Sequence, residues 1–197
     1  MDFILQLWGG GFYLLNKVFL ALAEGRQESA KRVLRIIGWL LYLGGVPAWV
    51  VILVGKHNWI AAAIEAGGAP AMLFGLYNVW RHGGAPAILD RFASVCTYVF
   101  ILFGIGYSFY DYGGVTTLSQ LLEIGVMVGF LGGSYLLAKK NLYGWLFFML
   151  MNCSMATLML LQDKPILAVQ QLVSLCFVVY GFAVARKVAR RKRILLG

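Results

Sequence analysis

Trp145, Phe148 and Asn152 stand at i, i+3 and i+7 of one apolar stretch, so a helix there carries all three on one face. A flat heteroaromatic ring can stack on a Trp and a Phe, in offset or edge geometry. An Asn amide both donates and accepts, which suits an amide, a ribose or a pyrimidine. Asn152 lies about ten residues from the basic end of its stretch, hence about 15 Å deep if the stretch crosses a bilayer. At that depth its amide needs a polar partner and turns toward the bundle interior. The plainer readings are that Trp145 anchors the membrane interface and that Asn152 bonds a neighbouring helix.

Gln170 and Gln171 are adjacent, so they point about 100° apart on a helix and only one is expected to face a central pore. Gln171 aligns with Glu65 in the internal repeat described below, which places the two across one cavity. Glu65 is the one carboxylate well inside an apolar run of the first repeat. A charge at mid-membrane costs roughly 2.5–3.5 kcal/mol on insertion scales, so it has a role in binding a cation or proton, reaches the nearby surface, or is neutral and hydrogen-bonded. Glu123 and Asn16 are weaker candidates of the same kind.

Other chemistry is poorly provided for. His57 and His82 fall in loops on opposite sides of the predicted bundle, and Cys96, Cys153 and Cys176 sit in apolar runs without metal-ligand spacing. No set of serine, histidine and acid converges. We expect no enzyme, no catalytic residues, no metal and no cofactor. Gly125, Gly129 and Gly133, like Gly67, Ala71 and Gly75, recur every four residues and read as close helix contacts rather than phosphate loops.

The elements that position these side chains follow from composition. Of 197 residues 61% are hydrophobic and 13% charged, against about 45–50% and 25% in soluble domains. That excludes a soluble enzyme and a disordered chain. Seven stretches have the length of a bilayer-crossing helix: 3–23, 35–54, 60–80, 90–109, 115–138, 142–162 and 165–186. Ala21-Leu22-Ala23 resembles a leader cleavage site, but Asp2 and Lys17 argue against cleavage. Alternate loops divide the basic residues unequally. Arg26, Lys31, Arg32, Arg35, Arg81, Arg91, Lys139, Lys140 and the six from Arg186 to Arg193 share one side, whereas Lys56 and Lys164 occupy the other. The positive-inside rule then puts the N-terminus outside and the C-terminus in the cytoplasm. The net charge of +9 is accordingly a topology signal that touches the lipid bilayer, and no nucleic acid is expected.

The chain also repeats itself. Gly38-Trp39-Leu40 with Tyr42 aligns without a gap, 106 positions on, with Gly144-Trp145-Leu146 and Phe148; Ala62 and Gly75 then meet Ala168 and Gly181. By that symmetry Trp39 and Tyr42 join the candidate site. Gly10-Gly11 and Tyr13 to Lys17 align less securely with Gly132-Gly133 and Tyr135 to Lys139, in which case Lys17 reaches out of the membrane like a snorkelling lysine. The expected fold is an all-α integral membrane protein of seven transmembrane helices. A first three-helix repeat spans 1–89 with a polar insertion at 24–35, a linker helix lies within 90–114, a second repeat spans 115–189, and 190–197 is a basic tail. Four crossings separate the triplets, so the repeats are parallel, as in sugar facilitators of the SWEET type.

Residues Leu136 to Arg186-Lys187, with Lys139-Lys140-Asn141-Leu142-Tyr143-Gly144-Trp145 at their start, resemble the PnuC-type vitamin transporters. That family carries a Trp, a second Trp three residues later and an Asn or Asp four residues after that. Here the positions read Trp145, Phe148 and Asn152, so the second departs, and Gly144 stands where the family tends to have Asn. The resemblance implies a facilitator in the bacterial inner membrane, carrying nicotinamide riboside or a related vitamin by alternating access, and a trimer. The expected substrate is therefore a small polar aromatic molecule held by Trp145, Phe148, Asn152, Gln170, Gln171, Glu65, Trp39 and Tyr42. The alternative is a non-transporting relative acting as receptor or accessory protein.

Overall fold

The computed structural model describes residues 2–55, 57–82 and 84–196, with side-chain surroundings defined for all but a few at the two ends. Lys56, one of the two basic residues assigned to the outer side, lies outside them. The described residues form eight helical segments: α1 (Asp2–Ala23), α2 (Glu28–Gly55), α3 (Trp59–Gly67), α4 (Ala69–Trp80), α5 (Ala87–Tyr112), α6 (Leu118–Ala138), α7 (Gly144–Leu161) and α8 (Pro165–Leu196). α3 and α4 act as one rod. Gly68 between them keeps right-handed helical geometry (φ −75°, ψ −23°), and the break comes from Pro70, which has no N–H to continue the ladder. With 59–80 counted once, six helices are long and apolar enough to cross a membrane. α1 has the length, but Gln6, Asn16 and Lys17 dilute its apolar character.

The ends of these helices are written in ordinary capping chemistry. Asn58 accepts from the Ala61 amide at 3.2 Å to start α3, and Thr117 accepts from the Gln120 amide at 3.2 Å to start α6. α5 stops at Gly113, whose left-handed φ of +67° suits a residue without Cβ.

Two segments differ from the expectation. The polar stretch 24–35 is mostly the first two turns of α2, beginning at Glu28, rather than an insertion outside the helices. Its charges are placed by pairing: Arg35 donates to buried Glu24 at 2.6 Å, with Lys31 3.8 Å away. The basic tail likewise continues α8 to Leu196, since Arg and Lys are good helix formers.

α1 packs on α2 and α8, α6 on α7, and α7 on α8; α4 reaches both α2 and α6. α5 packs on α3, α4 and α6 and lies at the periphery, turning Ile88, Phe92, Val95, Val99, Leu102 and Phe103 outward. An apolar face of that extent suits lipid and not water. Two glycines set the closest approaches. A Cβ on Gly75 would stand 2.5 Å from the Trp39 indole, and one on Gly181 would stand 2.7 Å from the Trp145 indole. Both indoles are about 98–99% enclosed (2% and 1% exposed), so each Trp depends on a glycine opposite it.

Candidate functional site

The bundle encloses a cavity of about 920 Å³, within the size range of small-molecule sites. It reaches the end that carries His57 to Trp59, Asp111 and Tyr112, and Gln162 to Lys164. At its inner limit stand Lys17, Tyr13 and Phe130. The opposite end is shut. Trp39, Trp145, Glu24, Arg35 and Lys140 surround a void of about 10 Å³ there, room for about one water.

α1 delivers the residue that dominates the inner wall. Lys17 is 1% exposed, so it does not snorkel, and it shares nothing with Lys139, which stands exposed at the end of α6 paired with Asp90 at 3.1 Å. The Lys17 ammonium lies 4.2 Å from the Tyr42 ring centre, 4.5 Å from Phe148 and 5.5 Å from Tyr13. Its Nζ has no hydrogen-bond partner and joins no ion pair among the described residues. Ring faces attract a desolvated ammonium by about 0.5–2 kcal/mol each, whereas burying the charge costs several kcal/mol. The rings fix the ammonium in place without satisfying its N–H groups.

Glu65 faces the same cavity from α3, part-buried, and accepts a hydrogen bond from the Tyr13 hydroxyl. It neither reaches the surface nor pairs with Lys17. Gln170 and Gln171 both line the cavity from α8. Their side chains diverge by about 100°, and the Gln170 amide lies against Gly10 of α1. Glu123 lines its outer part and is exposed.

The aromatic candidates stand elsewhere. Trp39, Tyr42, Trp145, Phe148 and Asn152 are all buried and stand off the cavity wall. Trp39 and Trp145 close the sealed end. Tyr42 and Phe148, 6.1 Å apart and edge to face, flank Lys17. Ser134 donates to the Tyr42 hydroxyl at 3.0 Å from the other side. Asn152 donates to the Phe148 carbonyl of its own helix at 2.7 Å, leaving Oδ1 without a partner, and Asn16 donates to the Gly38 carbonyl at 2.9 Å with the same result. Phe148 and Tyr42 are thus brought together, but around a lysine of the chain itself. Sequence reasoning missed Lys17, Tyr13 and Trp49 as members of the site. The available signal was the lysine inside an apolar run.

The chain matches no family model, no curated protein and no solved structure.

Proposed function

We propose that this protein is a membrane transporter, a facilitator that moves a small water-soluble, vitamin-like or nucleoside-like compound by alternating access. The observation that carries this reading is a ligand-sized cavity, walled in part by Glu65, Gln170 and Gln171, that runs from one end of the bundle to its middle and stops at a packed seal. A static bundle has no use for such a cavity, and a channel has no use for the seal.

The repeat supports the same mechanism. Trp39 over Gly75 and Trp145 over Gly181 are one contact written twice, 106 residues apart. The contacts of α1 with α8 and of α4 with α6 are likewise counterparts if α1, α2 and α3–α4 correspond to α6, α7 and α8. Rocking of one triplet against the other would part the two Trp–Gly contacts and open the sealed end while the wide end closes. With the basic loops in the cytoplasm, the cavity faces outward and Trp39 and Trp145 form the inner gate. The resemblance to PnuC-type transporters gives the proposed substrate class and the bacterial inner membrane. Trapping of the product inside the cell would drive net uptake.

The test is uptake into proteoliposomes of nicotinamide riboside, thiamine, riboflavin, nucleosides, simple sugars and organic acids such as nicotinate, each labelled. Saturable uptake of one of them, reduced by Gln171→Ala, is the expected result. Folded protein that passes none of these compounds and no organic acid refutes the transport reading.

A further inference from the structure

We propose that Lys17 is an anion receptor at the inner limit of the cavity, and that the compound bound there is a small organic monocarboxylate. This rests on the transport reading for the path of the compound, but not for its chemistry. Lys17 lines the cavity and is 1% exposed, and its ammonium, buried behind that wall, has three N–H donors with no acceptor. Tyr13, Tyr42 and Phe148 surround it with ring faces, which hold a cation and accept no ordinary hydrogen bond. The nearest candidate counter-ion, Glu65, is engaged by the Tyr13 hydroxyl. The unpartnered Oδ1 atoms of Asn16 and Asn152 stand off the cavity wall.

Trp49 lines the same cavity from α2, with its Nε1 buried against Gly9. An unmatched charged donor calls for an acceptor, and a carboxylate is the acceptor that gains most from an ammonium. Glu65 on the neighbouring wall sets the limit, because a second negative charge on the ligand would face it. Like charges also exclude the opposite class. A permanently cationic ring, as in nicotinamide riboside or thiamine, would meet the lysine between the very rings it needs for stacking. The Phe148 position, where the resembling family has Trp, thus belongs to a box already holding a cation of the chain.

The experiment compares acids with their neutral isosteres on the purified full chain in detergent: nicotinate against nicotinamide, benzoate against benzamide, and thiamine as the cation. Binding is read by thermal shift and by equilibrium dialysis. A charge-assisted hydrogen bond lost with the carboxylate corresponds to about tenfold in affinity, so each acid is expected to bind at least that much more tightly than its amide. Lys17→Gln should abolish the preference and Lys17→Arg should keep it. The acid–amide comparison on the wild-type protein, and Lys17→Arg, carry the test should Lys17→Gln fail to fold. Amides or thiamine binding as tightly as the acids, a preference that survives Lys17→Gln, or no carboxylate binding to folded protein overturns the proposal. Uptake separates the two readings. Lys17-dependent carboxylate binding without flux leaves the receptor and refutes transport; flux of a neutral compound without carboxylate binding does the reverse.

Discussion

The two Trp–Gly contacts allow a quantitative test of the repeat. A Cβ added at Gly75 would lie 2.5 Å from the Trp39 indole, and at Gly181 2.7 Å from that of Trp145, against about 3.5–4.0 Å for carbon atoms in contact. About 1 Å must be found at each site, and neither ring has room to retreat. Trp39 is buried against Tyr42, with ring centres 6.1 Å apart. Overpacking of this kind costs about 1–3 kcal/mol, and the upper end applies to a trapped indole. Replacing Gly by Ala in a helix returns about 1 kcal/mol of propensity. Gly75→Ala and Gly181→Ala should each lose about 2 kcal/mol net. At the scale for chains of this length that is about 4–8 °C of Tm. Gly106→Ala in α5 is the control, because nothing stands within 4 Å of the added atom, and it should be neutral or slightly stabilising. Melting of the three variants in one detergent, followed by the loss of helical circular dichroism, reads all three at once. A pair that melts like Gly106→Ala refutes the packing argument. A pair whose shifts differ by more than the effect itself refutes the equivalence of the two contacts.

Other outcomes follow from the same geometry. Introduced cysteines should report the cavity: Gln171→Cys is expected to react with a membrane-impermeant maleimide from the wide end, and Trp145→Cys to stay unreactive until the sealed end opens. Equal labelling of both would remove the seal. Tyr13→Phe takes away the hydroxyl that Glu65 accepts from, so the chain should lose about 1–3 kcal/mol of stability, visible as a lower melting temperature that Glu65→Gln combined with Tyr13→Phe partly restores. At the sealed end, Asp90 and Tyr135 hold the Lys139 ammonium above the ordinary lysine range by hydrogen bonding. A raised pKa contributes stability that is complete below the unfolded value and is lost as pH rises through the folded one, so the effect belongs above about pH 10. Both partners of this pair are more than a third exposed, and screening limits it to less than about 1 kcal/mol. Lys139→Met should therefore leave the melt at pH 7 nearly unchanged and flatten only its alkaline limb.

The membrane-like helices were legible because bilayer length and the need to satisfy the backbone leave few choices. Each expected stretch corresponds to a helix or to the α3–α4 rod, with ends that agree closely except at the start of α2, at Glu28 rather than 35, and the end of α8, at Leu196 rather than 186. The displacements have a common cause. At 24–35 and 190–196 the hydropathy signal stops where the charges begin, but the helix does not, because Glu28, Lys31 and Arg35 or Arg and Lys in series continue an α-helix at little cost. The helix contacts suggest a different register for the first helices from the likeness of Gly10-Gly11 to Gly132-Gly133. Phe12 and Tyr13 lie over Gly44 and Gly45, while Gly129 lies against Met151. With Gly45 and Met151 as counterparts 106 apart, α1 answers to α6 about five residues earlier than Gly10 and Gly132 suggested. On that register Lys17 would answer to Ser134 rather than to Lys139, and both touch Tyr42, one by its ring and one by its hydroxyl.

That correction bears on why the site was only half readable. Glu65, Gln170 and Gln171 could be found because a polar side chain inside an apolar run has few places to go. The same rule applied to Lys17, but a lysine has a second option that an Asn or a Gln lacks: its four-carbon stem can carry the charge to the interface. Which option it takes depends on the depth of its α-carbon and on what surrounds the ammonium, and neither is written in α1. The surroundings come from α2 and α7, through Tyr42 and Phe148, whose relation to Lys17 exists only once the triplets are packed. The pair of rings at 42 and 148 was visible as a repeated position and was assigned to stacking a ligand. In the structure the two rings hold a cation of the chain itself. An aromatic box filled in this way would repel a cationic ring and favour an anion, and the residue that fills it lies outside the motif that carries the resemblance.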